Sequence, residues 1–165
     1  MKENTDIISK LKGKFGPEIT GDDSSGDMLT VTVKSSSVYD IIEFLKTDPS
    51  LNFGFLTTLC GIHYPENDLP LGVIYHLHNF RDNTRIRIKT FVTLANPEVR
   101  SLTSLFKGAN WMERETYDFF GIIFKGHPNL KRILNVEYLD FFPMRKEIPL
   151  EDPTREDKDN RYFGR

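Results

Sequence analysis

Apolar residues along this chain fall into short groups whose spacing switches between helical and strand-like. Ile7, Ile8, Leu11 and Phe15 outline a short amphipathic helix, closed by Gly13, Gly16 and Pro17. The polar run from Gly21 to Asp27 predicts a loop. Leu29, Val31 and Val33 then alternate with Thr30, Thr32 and Lys34, the period-two mark of a half-buried strand. Ser37 followed by Asp40 resembles a capping box. Behind it Val38, Ile41, Ile42 and Leu45 lie at helical spacing, which predicts a helix with one buried face.

Phe53 to Leu59 and Val73 to Leu77 read as buried strands joined by a proline-containing loop. Arg81 to Thr84 is a turn. Ile86, Ile88, Val92 and Leu94 then form the inner face of a further strand, with Arg85, Arg87 and Lys89 on its outer face. Asn96 and Pro97 have the form of an N-cap and first helical residue, so a helix is expected from there to Gly108. A second helix is expected from about Asn110 to Phe120, stopping at Gly121. Beyond it the periodicity fades. Glu151 to Arg165 holds nine charged residues among fifteen, with only Tyr162 and Phe163 as large apolar groups. Such a stretch cannot bury enough surface to fold alone, so it is expected either to be disordered or to be ordered by a partner. The pattern predicts an α+β fold: a mixed β-sheet covered by helices over residues 1–134, followed by an extended C-terminal arm over 135–165.

Length and composition narrow the function classes. The chain has 165 residues, the size of one domain. Its 22 Lys and Arg against 24 Asp and Glu give a net charge of −2, which argues against a nucleic-acid binder. The single Cys60 excludes an internal disulfide and any iron–sulfur cluster held by this chain alone. No apolar run near Met1 suggests a signal peptide. The longest uncharged stretch, Pro49 to Pro65, is too short and too polar to span a bilayer. The expectation is a soluble protein with no membrane span.

Three groups of residues could carry chemistry. His76 and His78, two apart on a strand, point to one side and could ligate a metal, but no carboxylate motif completes such a site. The plainer reading is a strand with two half-exposed imidazoles. Glu113, Glu115 and Asp118 with His127 could form a carboxylate–histidine cluster, the basis of a small metal-dependent hydrolase. The alternative, preferred on residue chemistry, is a charged helix face with an Arg114–Asp118 pair one turn apart. Cys60 has no sequence neighbour that marks a nucleophile. Neither GxGxxG nor GxxxxGK[ST] occurs, so phosphate cradling has no support. Trp111, Glu115 and Phe119 share one helical stripe, which would put Glu115 inside an aromatic face. A carboxylate there needs a partner. Lys125, His127, Lys131 and Arg132 follow with no acid between Asp118 and Glu137, so Glu115 is expected to anchor this basic segment.

The stretch from Ala109 to Ile122, with Glu113-Arg114-Glu115-Thr116-Tyr117-Asp118 at its centre, continues into Phe124-Lys125-Gly126-His127-Pro128-Asn129-Leu130-Lys131-Arg132-Ile133-Leu134. Pro143-Met144-Arg145-Lys146-Glu147 comes after. Together these resemble the motif ERExYDxFGIxFxGHPxLxRIL and the later proline-Leu-Arg-Lys-acid run of the C subunit family of NADH–quinone oxidoreductase, respiratory complex I. The resemblance covers roughly Phe53 to Leu150. Two departures stand out: Gly61-Ile62-His63-Tyr64 replaces the usual Gly-Val-Asp-Tyr, and Phe141-Phe142-Pro143-Met144 replaces Gly-His-Pro-Leu.

The resemblance implies a non-catalytic structural subunit of the hydrophilic arm of a proton-pumping complex. Such a subunit braces the quinone-site D subunit and the neighbouring cluster-bearing subunits. It implies no cofactor in this chain, with FMN and iron–sulfur clusters in the partner subunits, and a peripheral place on the cytoplasmic or matrix face of the membrane. Related subunits occur in energy-converting hydrogenases and other NADH-dehydrogenase-like complexes. The residues expected to form the structural and interface set are Glu113, Arg114, Glu115, Tyr117, Asp118, Gly126, His127, Pro128, Arg132, Arg145 and Lys146.

Overall fold

A computed structural model describes residues 4–149 of the chain. The chain runs through α1 (Asn4–Phe15), a 3-10 turn (Gly16–Glu18), β1 (Ile19–Asp23), β2 (Leu29–Lys34) and α2 (Val38–Thr47). It continues through β3 (Phe55–His63), β4 (Leu71–Asn79), β5 (Thr84–Val92), β6 (Glu98–Arg100), α3 (Ala109–Phe120) and β7 (Ile123–Lys125). The fold is α+β, as the pattern predicts. Five strands form one sheet in the order β1-β2-β5-β4-β3. Only the β2–β5 pair is parallel, so the sheet is mixed.

Alternation along each strand decides what the sheet buries. Leu29, Val31 and Val33 of β2 register with Ile86, Ile88 and Thr90 of β5. Those pair in turn with Leu77, Tyr75 and Val73 of β4. This face is sealed by Ile7 and Leu11 of α1 and by Val38, Ile41, Ile42 and Leu45 of α2, all in one core. The opposite face carries Arg85, Arg87 and Lys89, as expected for a sheet with one solvated side. There Arg87 donates to His76 (Nε···Nε2 2.8 Å), and His78 Nε2 lies 2.9 Å from Asn83 Oδ1. Both imidazoles are thus engaged by protein groups.

Several local expectations are corrected. The polar run Gly21–Asp27 contributes its first residues to β1, an edge strand held by pairing with β2 rather than by its own apolar pattern. The capping box does not form: Ser37 Oγ donates to Glu18 Oε2 at 2.8 Å, and no side chain caps α2. The strand at Phe53–Leu59 begins two residues later and runs on to His63. Leu94 lies beyond β5 and is 47% exposed.

The helix expected from Asn96 to Gly108 is absent. Glu98–Arg100 instead forms β6, which pairs in parallel with Ile123–Lys125 of β7. The Ser101 N–H donates to the Lys125 carbonyl (2.9 Å) and the Leu102 N–H to Glu113. Tertiary acceptors thus take donors that a helix would have used. Leu102, Leu105 and Phe106 keep helical spacing but fill the core from a turn. Gly108 stands before α3 rather than after a helix. The second expected helix is present as α3, one residue longer, and ends at Gly121 in the left-handed region (φ 73°).

Candidate interface around the end of helix α3

Two acids of α3, Glu113 and Asp118, are fully buried, which overturns the reading of a solvated charged face. Glu113 accepts from the Ser101 hydroxyl (2.7 Å) and the Leu102 N–H (2.6 Å), fixing the turn after β6. Burial raises its pKa to about 7 against the opposing pull of those two donors.

Asp118 is not paired with Arg114. Its Oδ1 accepts from Arg132 Nη1 at 2.8 Å and from the Asn135 side chain at 3.0 Å. Its Oδ2 accepts the backbone N–H groups of Ile133, Leu134 and Asn135 at 2.8–3.0 Å. Burial alone would raise the carboxyl's pKa. The donors from Asn135, Leu134 and Arg132 outweigh it and hold the pKa well below the usual carboxylate range.

Arg132 spreads its donors over the segment that follows. Besides Asp118 it donates to the carbonyls of Leu139 (2.9 Å) and Phe141 (3.1 Å). It also reaches the Asp118 carbonyl (2.9 Å), one of the orphan acceptors at the end of α3. The next two carbonyls are met from the same segment: Phe119 by the Met144 N–H (3.1 Å) and Phe120 by Arg145 Nε (2.8 Å). Both guanidinium groups lie against the Phe142 ring, Arg132 at 5.1 Å and Arg145 at 4.7 Å from its centre. Tyr117 meets the same ring edge-on at 6.3 Å. A Cβ on Gly121 would fall 2.5 Å from Phe142 and 2.7 Å from Arg145, so this glycine serves both the helix stop and the close approach of the segment.

The other expected residues take distinct places. Arg114 stacks over Trp111 and donates to the carbonyls of Lys131 (3.1 Å) and Arg132 (3.4 Å). His127 Nε2 lies 3.0 Å from the Asn110 carbonyl, and its Nδ1 accepts the Asn129 N–H at 3.0 Å. Those partners fit the tautomer that carries its proton on Nε2. Gly126 precedes it with φ 83°, and Pro128 follows in an exposed turn. Lys146 acts through its backbone, whose N–H donates to His63 Nδ1 at 2.9 Å. Glu115 is exposed and makes no hydrogen bond or ion pair among the described residues. It anchors nothing there; Asp118, on the buried side of the helix, holds the basic segment instead.

Glu115, Asp118 and His127 therefore do not converge as a hydrolase site. Among the described residues no group of three or more His, Cys, Asp or Glu could hold a metal ion.

Sequence reasoning did not assign roles to Ser101, Asn135 or Phe142. The two departures from the family pattern both fall here: buried His63 accepts from the Lys146 N–H, and Phe142 is the ring that Arg132 and Arg145 both approach. Their only advance signal was that they departed.

Comparison with known proteins agrees with the motif. The family model described as respiratory-chain NADH dehydrogenase, 30 Kd subunit, matches residues 31–154. The C subunit of NADH-quinone oxidoreductase from Roseiflexus sp. (strain RS-1) is 42% identical over 148 residues, 90% of this chain and 85% of that protein. Its counterpart from Citrifermentans bemidjiense is 38% identical over 156 residues, 94% of this chain and 96% of that protein. Among solved structures, a trypsin-resistant fragment of Nqo5 superposes with a TM-score of 0.66 at 25% identity. That match covers 78% of this chain and all of the fragment. A chain of an archaeal respiratory membrane complex, the membrane-bound sulfane sulfur reductase, shares the fold with a TM-score of 0.74 at 19% identity, over 96% of this chain and 98% of that one. With a family model matched over most of its length and relatives near 40% identity, the chain belongs to the 30 Kd subunit family of the respiratory-chain NADH dehydrogenase.

Proposed function

We propose that the chain is a non-catalytic structural subunit of the hydrophilic arm of NADH–quinone oxidoreductase. It braces the quinone-site subunit and its cluster-bearing neighbours while electrons pass from NADH to quinone. In this reading FMN and the iron–sulfur clusters belong to partner subunits, and the chain is held peripherally on the cytoplasmic or matrix face through the complex. Among the described residues no helix is long and apolar enough to cross a membrane, which suits a peripheral place.

One observation carries the reading. The segment after α3 is pinned along its backbone by Asp118 and Arg132, yet it turns apolar side chains to solvent. Leu134 is 64% exposed, Tyr138 87% and Met144 50%, with Val136 and Phe141 also outside. A chain that spends a buried ion pair on holding apolar groups outward is shaped to meet another protein. Rigid placement is what a brace must supply, since errors of about 1 Å between reacting groups are costly.

The test is affinity purification of the tagged chain from detergent-solubilised membranes. Recovery of the quinone-site subunit, the cluster-bearing subunits and NADH–quinone activity is expected. Recovery of the chain alone, or with the subunits of a hydrogenase, would contradict the assignment.

A further inference from the structure

The exposed stripe of α3 borders an apolar groove. Glu115 sits one turn after Trp111, which is 63% exposed, and one turn before the half-buried Phe119. Between α3 and β3 lies a groove of about 250 Å³, walled by Cys60, Phe119, Phe120 and Met144. Gly61 leaves room for Phe120, which would collide with any Cβ there. The groove is below the roughly 300–1,000 Å³ of small-molecule sites, so it suits side chains better than a cofactor.

Glu115 has no ion-pair partner among the described residues. Arg132 is paired with Asp118, while Arg114 and Arg145 turn their donors to a ring and backbone carbonyls rather than to Glu115. Glu115 therefore stands as an acid at the rim of an apolar groove, the arrangement in which rim charge selects a partner of opposite sign. Met144 makes the groove continuous with the outward-facing apolar segment described above.

We propose that this groove receives an apolar segment of a partner subunit that carries a lysine or arginine, with Glu115 as its counter-ion. The inference rests on the reading of the chain as a subunit and adds the chemistry of one contact. Cys60, the single cysteine, reports on occupancy from within the groove. Partial burial pushes its thiol pKa up, and the nearby Glu115 charge adds to that, so labelling in both states is compared at one fixed pH.

The experiment compares maleimide labelling of the Cys60 peptide, read by mass spectrometry, in the free chain and in the purified complex. Labelling in the free chain and protection of about tenfold or more in the complex are expected. Glu115→Arg should lower incorporation about tenfold, with Glu115→Gln between it and the wild type. The melting temperature of the isolated chain should stay unchanged for both, because the side chain is exposed. Equal labelling in complex and free chain, or normal incorporation of Glu115→Arg, would overturn the contact while the subunit reading stood. Shielding of Cys60 already in the free chain would also overturn it, since the chain would then fill its own groove. Failure of the wild-type chain to enter any complex would instead overturn the reading beneath it.

Discussion

Glu113 and Asp118 lie five residues apart on one helix, both without solvent exposure, and their surroundings drive them in opposite directions. Asp118 meets enough donors to stay ionised, whereas Glu113 meets two and is pushed up to about 7. A carboxyl whose pKa is raised by folding binds its proton more tightly in the native state. Its stabilisation is complete below the ordinary value of 4.5 and is lost as pH rises toward 7. Urea unfolding of the isolated chain should therefore show stability falling across that window. Glu113→Gln should flatten the slope, because an amide can accept from Leu102 and donate to Ser101 at every pH. An unchanged slope in the variant would show that another group titrates. Asp118 has the opposite sign, with its contribution lost as pH drops through the acid range. Asp118→Asn leaves Arg132 buried without its counter-charge, and a loss of about 3–5 kcal/mol is expected in the same measurement.

At the scale of elements, the end of α3 is where helix, glycine stop and following segment become one unit. The carbonyls of Asp118, Phe119 and Phe120 would be orphans in an isolated helix, and all three are capped from the segment that follows. Gly121→Ala is expected to cost about 1–2 kcal/mol from its left-handed backbone alone, and more from displacing Phe142. Limited proteolysis should then cut within residues 135–149 well before the sheet is lost; cleavage as slow as in the wild type would contradict this coupling.

The helix end was legible in advance because an apolar period and a terminal glycine are local signals. The helix expected after Asn96 failed because Pro97 and the spacing of Leu102, Leu105 and Phe106 are local too. What decides that stretch is the pairing of Val99 with Phe124 and the acceptor offered by Glu113. The strand β1 was missed for a related reason, since Thr20, Gly21 and Asp22 have no strand pattern apart from β2. Glu115 and Asp118 were exchanged in role: the aromatic stripe of Trp111 and Phe119 looked like a core face, but Trp111 faces solvent and Phe119 is only half-buried. Aromatic residues on a helix mark burial somewhere, and on a subunit that burial can lie between chains.

Across the whole molecule, one core unites the sheet with α1 and α2, and α3 fastens an outward-facing apolar segment to its edge. We propose that the chain divides at 134 into a domain and an arm; residues 150–165 lie outside the described residues. Truncation after Leu150 should leave the isolated domain melting as before yet weaken its incorporation. Earlier melting of the shortened chain would assign the tail to the domain's own fold. The most direct measurement combines Leu134→Ser with Tyr138→Ser, two exposed positions whose replacement disturbs no contact within the core. The isolated variant should unfold at the same urea concentration as the wild type, while its recovery in the solubilised complex falls about tenfold or more. Full recovery of that variant in the complex would contradict the account.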